Sequence, residues 1–401
     1  MTSGLSRRRL LSASAMMAAG GAAAPAAAGS LRIDSVRAVP LSLLPTSRFG
    51  TNRFKGDQDP ARFRWFGSFS QLAGAILVEI KTAEGITGYG MGGGGSAACF
   101  VIENHLRDLL QGVNALQVEL LWDQLFSSSS FYGRKGLAIQ AISGLDLALW
   151  DIAGKHAGVP AYKLLGGAVQ TKVPAYFTSA KPEAGLDLGF RAFKLPMEIA
   201  PDEPDARRRI VERLANTRKT VGKDAKLMID VLCRWTVPFT IEMAQRLADA
   251  DVRLDFIEEP ILPDDIPGYE KLCREVKSTR IASGEHEYTH YGFNELIRHR
   301  AAHILQPDLT WSGGLTTGRR VLALAGPAKI PVMPHRGGSA FGMQLIVTSK
   351  LCPLAESFGT GEANEMLARL AAPFERGFYL APEKPGMGVE LPAGVLKQYG
   401  L

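Results

Sequence analysis

Cysteine is scarce. The 401 residues hold four, Cys99, Cys233, Cys273 and Cys352, and no two form a C-x-x-C pair. That spacing excludes a disulfide-stapled scaffold and a thiolate zinc module, and leaves each thiol as a small buried hydrophobe. Net charge is small as well. Lys plus Arg is 46 against 40 Asp plus Glu, a balance of +6. Arg7, Arg8 and Arg9 precede every acid and lie in a segment expected to be removed, which lowers the balance to +3. So slight an excess gives no electrostatic footprint for nucleic acid. After the first thirty residues, no run is expected to be long and apolar enough to cross a membrane. Met91-Gly92-Gly93-Gly94-Gly95 lacks the Lys-Ser/Thr that would make it a phosphate cradle, so it is expected to be a connection. What is abundant is ordinary globular material: 46% hydrophobic and 21% charged residues, enough length for more than one core, and too apolar for a disordered chain.

The N-terminus is organised as an address. Ser6-Arg7-Arg8-Arg9 precedes an Ala-rich apolar run to Ala24, and Ala26-Ala27-Ala28 offers small residues for cleavage. Gly20, Gly21 and Pro25 interrupt the run, so it does not read as a membrane span. Residues 1–29 are expected to be a signal of twin-arginine type, with the protein periplasmic or exported, or cytoplasmic if the signal goes unused.

Two rhythms follow. Residues 30–160 read as an α+β domain. Leu31–Val39 alternates, a strand is expected over Leu72–Ile80, and Glu84-Gly85 turns it into another ending near Tyr89. Ala138–Lys155 then carries apolar residues at helical spacing (Ile139, Ile142, Leu145, Leu149, Ile152) and stops at Gly158-Val159-Pro160. Residues 161–358 alternate short β-branched runs with helical stretches. The strands end at Tyr176-Phe177, Lys194, Asp230, Glu258, Glu285, Asp308, His335 and Glu356. Eight such units predict an α/β fold, a (β/α)₈ barrel. Residues 359–401, rich in proline, are expected to return to the first domain.

Strand C-termini of a barrel converge on one mouth. Asp230, Glu258 and Glu285 end three consecutive strands there, and three such acids repel unless a cation sits among them. Oxygen-only ligands favour a hard ion, Mg²⁺. Asp308 and His335 end the next two strands, where a carboxylate can fix the tautomer of an imidazole and raise its basicity. A metal facing a histidine base suits proton abstraction beside a carboxylate.

These residues resemble the enolase superfamily. The motifs are Gly144-Leu145-Asp146-Leu147-Ala148-Leu149-Trp150-Asp151, Leu164-Leu165-Gly166-Gly167, Ile257-Glu258-Glu259-Pro260, Gly284-Glu285 and Gln306-Pro307-Asp308. The chain is similar to the mandelate racemase subgroup and most like the L-rhamnonate dehydratases, through Ser283-Gly284-Glu285-His286, Gly313-Gly314-Leu315, Pro334-His335 and Lys384–Leu391. The resemblance implies an α+β capping domain on a modified (β/α)₈ TIM barrel, with Asp230, Glu258 and Glu285 holding Mg²⁺. It implies His335 as base, oriented by Asp308, with Glu356 and Lys194 at the mouth. It also implies a homo-oligomer acting on a small sugar acid, with a 2-keto-3-deoxy acid as product.

Departures narrow this. Phe193-Lys194-Leu195-Pro196 puts proline where racemases of the subgroup carry a second lysine, which favours elimination by one base. No histidine occurs in residues 40–66, where rhamnonate dehydratases place one. Their Pro-His-Gly-Ser-Ser becomes Pro334-His335-Arg336-Gly337-Gly338. The basic loop from Pro45 to Phe66 suits a polyhydroxy acid, and Arg64 is its expected substrate contact. The alternatives are a racemase or cycloisomerase of the same superfamily, and an exported sugar-acid binding protein without catalysis. His286-Glu287-Tyr288-Thr289-His290 matches H-E-x-x-H, but it follows a strand end where a loop is expected, and a zinc site needs both histidines on one helix face.

Overall fold

A computed structural model describes residues 30–41, 74–359 and 365–401. The expected signal, residues 1–29, and the basic loop with Arg64 lie outside them. The capping region opens with an antiparallel meander, β1 (Ile33–Leu41), β2 (Ala75–Thr82) and β3 (Thr87–Gly92), in the order β1-β2-β3. Gly85, at φ 90°, makes the tight turn expected between the last two.

The helix Leu137–Ala157 lies along this sheet. Gly88, Gly90 and Gly92 alternate along β3 and clear a groove for it. A Cβ on Gly90 would stand 2.1 Å from the carbonyl oxygen of Gly144. The helix ends at Gly158, whose φ of 67° makes the expected stop. One expectation fails here. This 21-residue helix is long and apolar enough to cross a membrane, but 83% of its most apolar stretch is buried inside the fold. It is apolar all round because the sheet covers one side and the barrel helix Gly314–Ala328 another. Asp146 on it reaches that helix, accepting from the Thr316 amide at 3.1 Å and hydroxyl at 2.5 Å.

The barrel strands are β4 (Lys172–Thr178), β5 (Ala192–Pro196), β6 (Lys226–Asp230), β7 (Phe256–Glu258), β8 (Arg280–Ser283), β9 (Ile304–Leu305) and β10 (Ala355–Ser357). They pair in parallel from β4 through β9, and β10 returns to pair with β4. The stave between β9 and β10 is reduced to one bridge, Val332 to Leu305. Inside, Tyr176, Ala192, Met228, Phe256, Ala282, Ile304, Met333 and Leu354 form one buried cluster, one residue from each of eight staves. This is the packed plug of a closed barrel. The fold is modified at its start, where a short 3₁₀ turn, Pro182–Gly185, stands between β4 and β5.

The C-terminal segment divides. β11 (Phe374–Glu375) and β12 (Phe378–Leu380) form a hairpin whose second strand pairs antiparallel with Lys172–Pro174 of β4, extending the barrel sheet. The later part packs against the capping region, in a cluster that also takes in Met366 and Leu370. Met387, Val389, Leu391, Val395 and Leu396 pack with Leu41, Leu77, Met91 and Leu147, and the Met387 amide donates to Asp151 at 2.7 Å.

Candidate active site

Period-two alternation carries the inward face from the apolar plug to the mouth. Two residues past Ala192, Met228, Phe256, Met333 and Leu354 stand Lys194, Asp230, Glu258, His335 and Glu356. All five are buried. Glu285 lies two residues past the end of β8, after Gly284, whose φ of 123° re-aims the chain. Asp308 lies three past β9.

Asp230, Glu258 and Glu285 come together as expected, with one oxygen from each within 4.8 Å of the others. Burial is the largest influence on all three and raises their pKa. Asp230 is pushed to about 7, although Lys194 pulls it down, and Glu258 also to about 7. Glu285 is raised by the same cause. Three acids facing one lysine hold an excess of negative charge, and an oxygen-only set suits a hard divalent ion. The residues therefore fit the group that the sequence implies.

The expected base is equally well placed. Nδ1 of His335 meets Oδ2 of Asp308 at 2.7 Å, and Nε2 stands 3.6 Å from Glu285 and 3.9 Å from Glu356. Asp308 is fixed in turn by the amide and hydroxyl of Thr310, both at 2.6 Å. Burial opposes the charged imidazole, but Glu285, Glu356 and Asp308 outweigh it and raise the His335 pKa to about 9.

Lys194 is fully buried between two acids, 2.5 Å from Glu258 and 2.7 Å from Glu356. Burial works against its charge, but those acids raise its pKa well above the ordinary value, so it stays an ammonium. Glu356 also accepts from the Thr178 hydroxyl at 2.6 Å and the Arg336 amide at 2.9 Å. Burial would raise its pKa, yet Lys194 and His335 lower it to about 2.

Sequence reasoning assigned no role to several residues that the fold brings here. Gln306 donates to the second oxygen of Glu258. Glu259 and His286 make another carboxylate–imidazole pair, 2.6 Å between Oε2 and Nδ1, with the Cys233 thiol 3.4 Å from the same oxygen. Each follows a candidate ligand directly in sequence, and such neighbours normally face opposite sides of a strand. The φ of 37° at Glu259 breaks that alternation. Trp311 stands 5.3 Å from the His335 ring and 5.7 Å from the His286 ring, with the Arg336 guanidinium 4.8 Å above its own.

The H-E-x-x-H match dissolves. The helix starts at Thr289, so His286 precedes it, while the His290 ring lies tilted against Tyr291 at 4.1 Å and Trp122 at 5.7 Å. The four cysteines are free.

Comparison with known proteins agrees with this geometry. Residues 66–166 match the mandelate racemase/muconate lactonizing enzyme N-terminal domain, and residues 179–395 match the enolase C-terminal domain-like family. An L-rhamnonate dehydratase of Saccharopolyspora erythraea is 35% identical over 329 residues, 80% of this chain and 84% of that protein. The crystal structure of a rhamnonate dehydratase from Gibberella zeae, complexed with Mg, superposes with a TM-score of 0.80 at 29% identity, covering 92% of this chain and 96% of that one. A racemase from Streptomyces coelicolor with bound magnesium follows at 0.75 and 29%, covering 92% and 99%. The chain belongs to the mandelate racemase/muconate lactonizing enzyme family of enolase-like enzymes, among the hydro-lyases similar to the L-rhamnonate dehydratases.

Proposed function

We propose that the protein dehydrates a sugar acid, an aldonate of rhamnonate-like shape, to a 2-keto-3-deoxy acid. The observation that carries this is the placement of His335, with Nδ1 held by Asp308 and Nε2 turned to the acid triad. Asp230, Glu258 and Glu285 would hold Mg²⁺. That ion supplies positive charge to offset the charge gathering on the substrate carboxylate as its α-proton leaves. His335 takes the α-proton and passes it to the departing β-hydroxyl. One C–H and one C–O bond break, water leaves, and the enol formed tautomerises to the 2-keto acid. The acids that raise His335 are Glu285, Glu356 and Asp308, so a cation held at Glu285 would bring the imidazole back toward a neutral base.

A one-base elimination also fits the opposite face. Lys194 is locked between Glu258 and Glu356, and Pro196 contributes no second base, which disfavours racemisation. The proposal includes a homo-oligomer and export through the twin-arginine segment 1–29. It divides the rest into a cap (30–160), a barrel (161–358) and a returning segment (359–401). Arg64 remains its proposed substrate contact. Incubation of the pure protein with Mg²⁺ and a panel of aldonic and aldaric acids tests the chemistry. A 2-keto-3-deoxy product is expected, lost in His335→Asn and largely kept in His290→Ala. No product from any acid would leave a binding protein or a cycloisomerase. Cell fractionation, with Arg7 and Arg8 both changed to Lys as control, tests export.

A further inference from the structure

Arg336 follows the base directly, and its backbone holds an uncommon left-handed conformation, φ 55°. An arginine tolerates that poorly, whereas Gly337 and Gly338 follow immediately. Its amide is tied to Glu356 at 2.9 Å, so the backbone cannot relax without disturbing the site. The side chain lies over Trp311, 4.8 Å from ring centre to guanidinium carbon, and Nε stands 3.8 Å from Asp308. Among the described residues, no carboxylate pairs with its two terminal nitrogens. Trp311 also touches the capping region, where a Cβ on Gly93 would lie 2.8 Å from its indole nitrogen. The guanidinium is therefore a half-exposed, oriented donor beside the base and against the wall that runs from the dyad toward the cap. Lys194, by contrast, is consumed by two acids.

Resting on the dehydratase reading, we infer that Arg336 recognises the far end of the substrate and selects sugar acids whose terminal carbon carries oxygen over 6-deoxy acids. With the substrate carboxylate at the acid triad and its α-carbon at His335, the remaining carbons extend out of the mouth along this wall. A terminal hydroxyl accepts a charge-assisted hydrogen bond from the guanidinium. A terminal methyl group desolvates the guanidinium and returns nothing. A rigid fork lying over an indole is suited to this, because little side-chain freedom remains to be lost on binding.

The test uses acids that differ only at that carbon, L-mannonate against L-rhamnonate, with corresponding pairs of other configuration. The wild-type protein is expected to favour the 6-hydroxy member by about 10- to 100-fold in kcat/KM, the range of one charge-assisted hydrogen bond. Arg336→Gly suits the left-handed backbone, so loss of folding does not confound it. It should erase the preference, bringing the kcat/KM ratio of the two acids to within about 3-fold of one through a rise in KM for the 6-hydroxy member, and Arg336→Lys should restore part of it. Equal or reversed preference in the wild type overturns the inference, as does an equal loss on both acids in Arg336→Gly. Turnover of no acid at all overturns the dehydratase reading itself, and this inference with it.

Discussion

The buried acid triad makes a thermodynamic prediction that needs no substrate. Stripped of divalent ions by a chelator, the protein should lose stability as pH rises from 5 to 8. The sign follows from burial. Asp230 and Glu258 have folded pKa values near 7, above their ordinary 3.8 and 4.5. A group raised in the folded state contributes stability that is fully present below its unfolded pKa and is lost as pH climbs through the folded one. For both acids that window runs from about pH 4 to 7. His335 and His286, raised to about 9 and about 10, act in the same direction above pH 6.5. Glu356 and Glu259, lowered to about 2, lose their contribution only below about pH 4.5, outside the range scanned. Two acids, each worth about 1.4 kcal/mol per pH unit, give a loss on the order of 5 kcal/mol between pH 5 and 7. Saturating Mg²⁺ keeps the acids ionised in the folded state and should remove most of that slope, so the ion stabilises far more at pH 8 than at pH 5. Urea midpoints with chelator and with Mg²⁺ across this range measure it. The reasoning is refuted if the stripped protein is as stable at pH 8 as at pH 5, or if Mg²⁺ shifts the midpoint equally at both.

Lys194→Met should cost about 3–5 kcal/mol in urea unfolding, because it leaves Glu258 and Glu356 buried without their shared cation; a loss under 1 kcal/mol would mean that the pair is not desolvated as the geometry implies. Gly90→Ala should destabilise by about 3 kcal/mol or more, since the new Cβ meets helix backbone at Gly144 and Ala148 rather than a movable side chain, and a near-neutral thermal melt would contradict the packing.

Much of the site was legible because period two is a strong rule. Once Leu227–Asp230 and Phe256–Glu258 are read as strands, the parity that buries Met228 and Phe256 in the plug also aims Asp230 and Glu258 into the mouth. Legibility ends where the backbone stops being regular. Glu285 needs the positive φ of Gly284, and only the motif placed it. Glu259 was hidden because alternation puts it on the outer face, and its own φ of 37° turns it back toward His286. Arg336 was noticed only as a departure, since nothing in the sequence says that its side chain will lie on Trp311. The expectation that no later run is long and apolar enough to cross a membrane failed for a related reason. Leu137–Ala157 is apolar on all sides because two layers cover it, and composition alone does not distinguish that from lipid. The segment after residue 359 divided because Phe378–Leu380 found a free edge on β4, a pairing that no local pattern announces.

The charges around the mouth explain why so costly an arrangement persists. Asp230, Glu258, Glu259, Glu285, Asp308 and Glu356 are all buried acids, while Lys194, His335 and His286 stand among them and Arg336 approaches Asp308 at 3.8 Å. Glu259 and Glu356 reach low pKa values because a cation stands against each, His286 at the first and, at the second, Lys194, which Glu356 shares with Glu258. Asp308 is lowered too: burial opposes this, but the hydrogen bond and charge of His335 prevail. The shortage falls on the triad, whose three members are raised together. A fold selected for stability alone would replace one of these acids with a neutral side chain, as buried ionic groups are readily improved by apolar ones. Here the deficit is concentrated at a single point where three oxygens converge, next to an imidazole aimed at it. Negative charge left in excess where three carboxylates converge is an arrangement that a bound cation would balance.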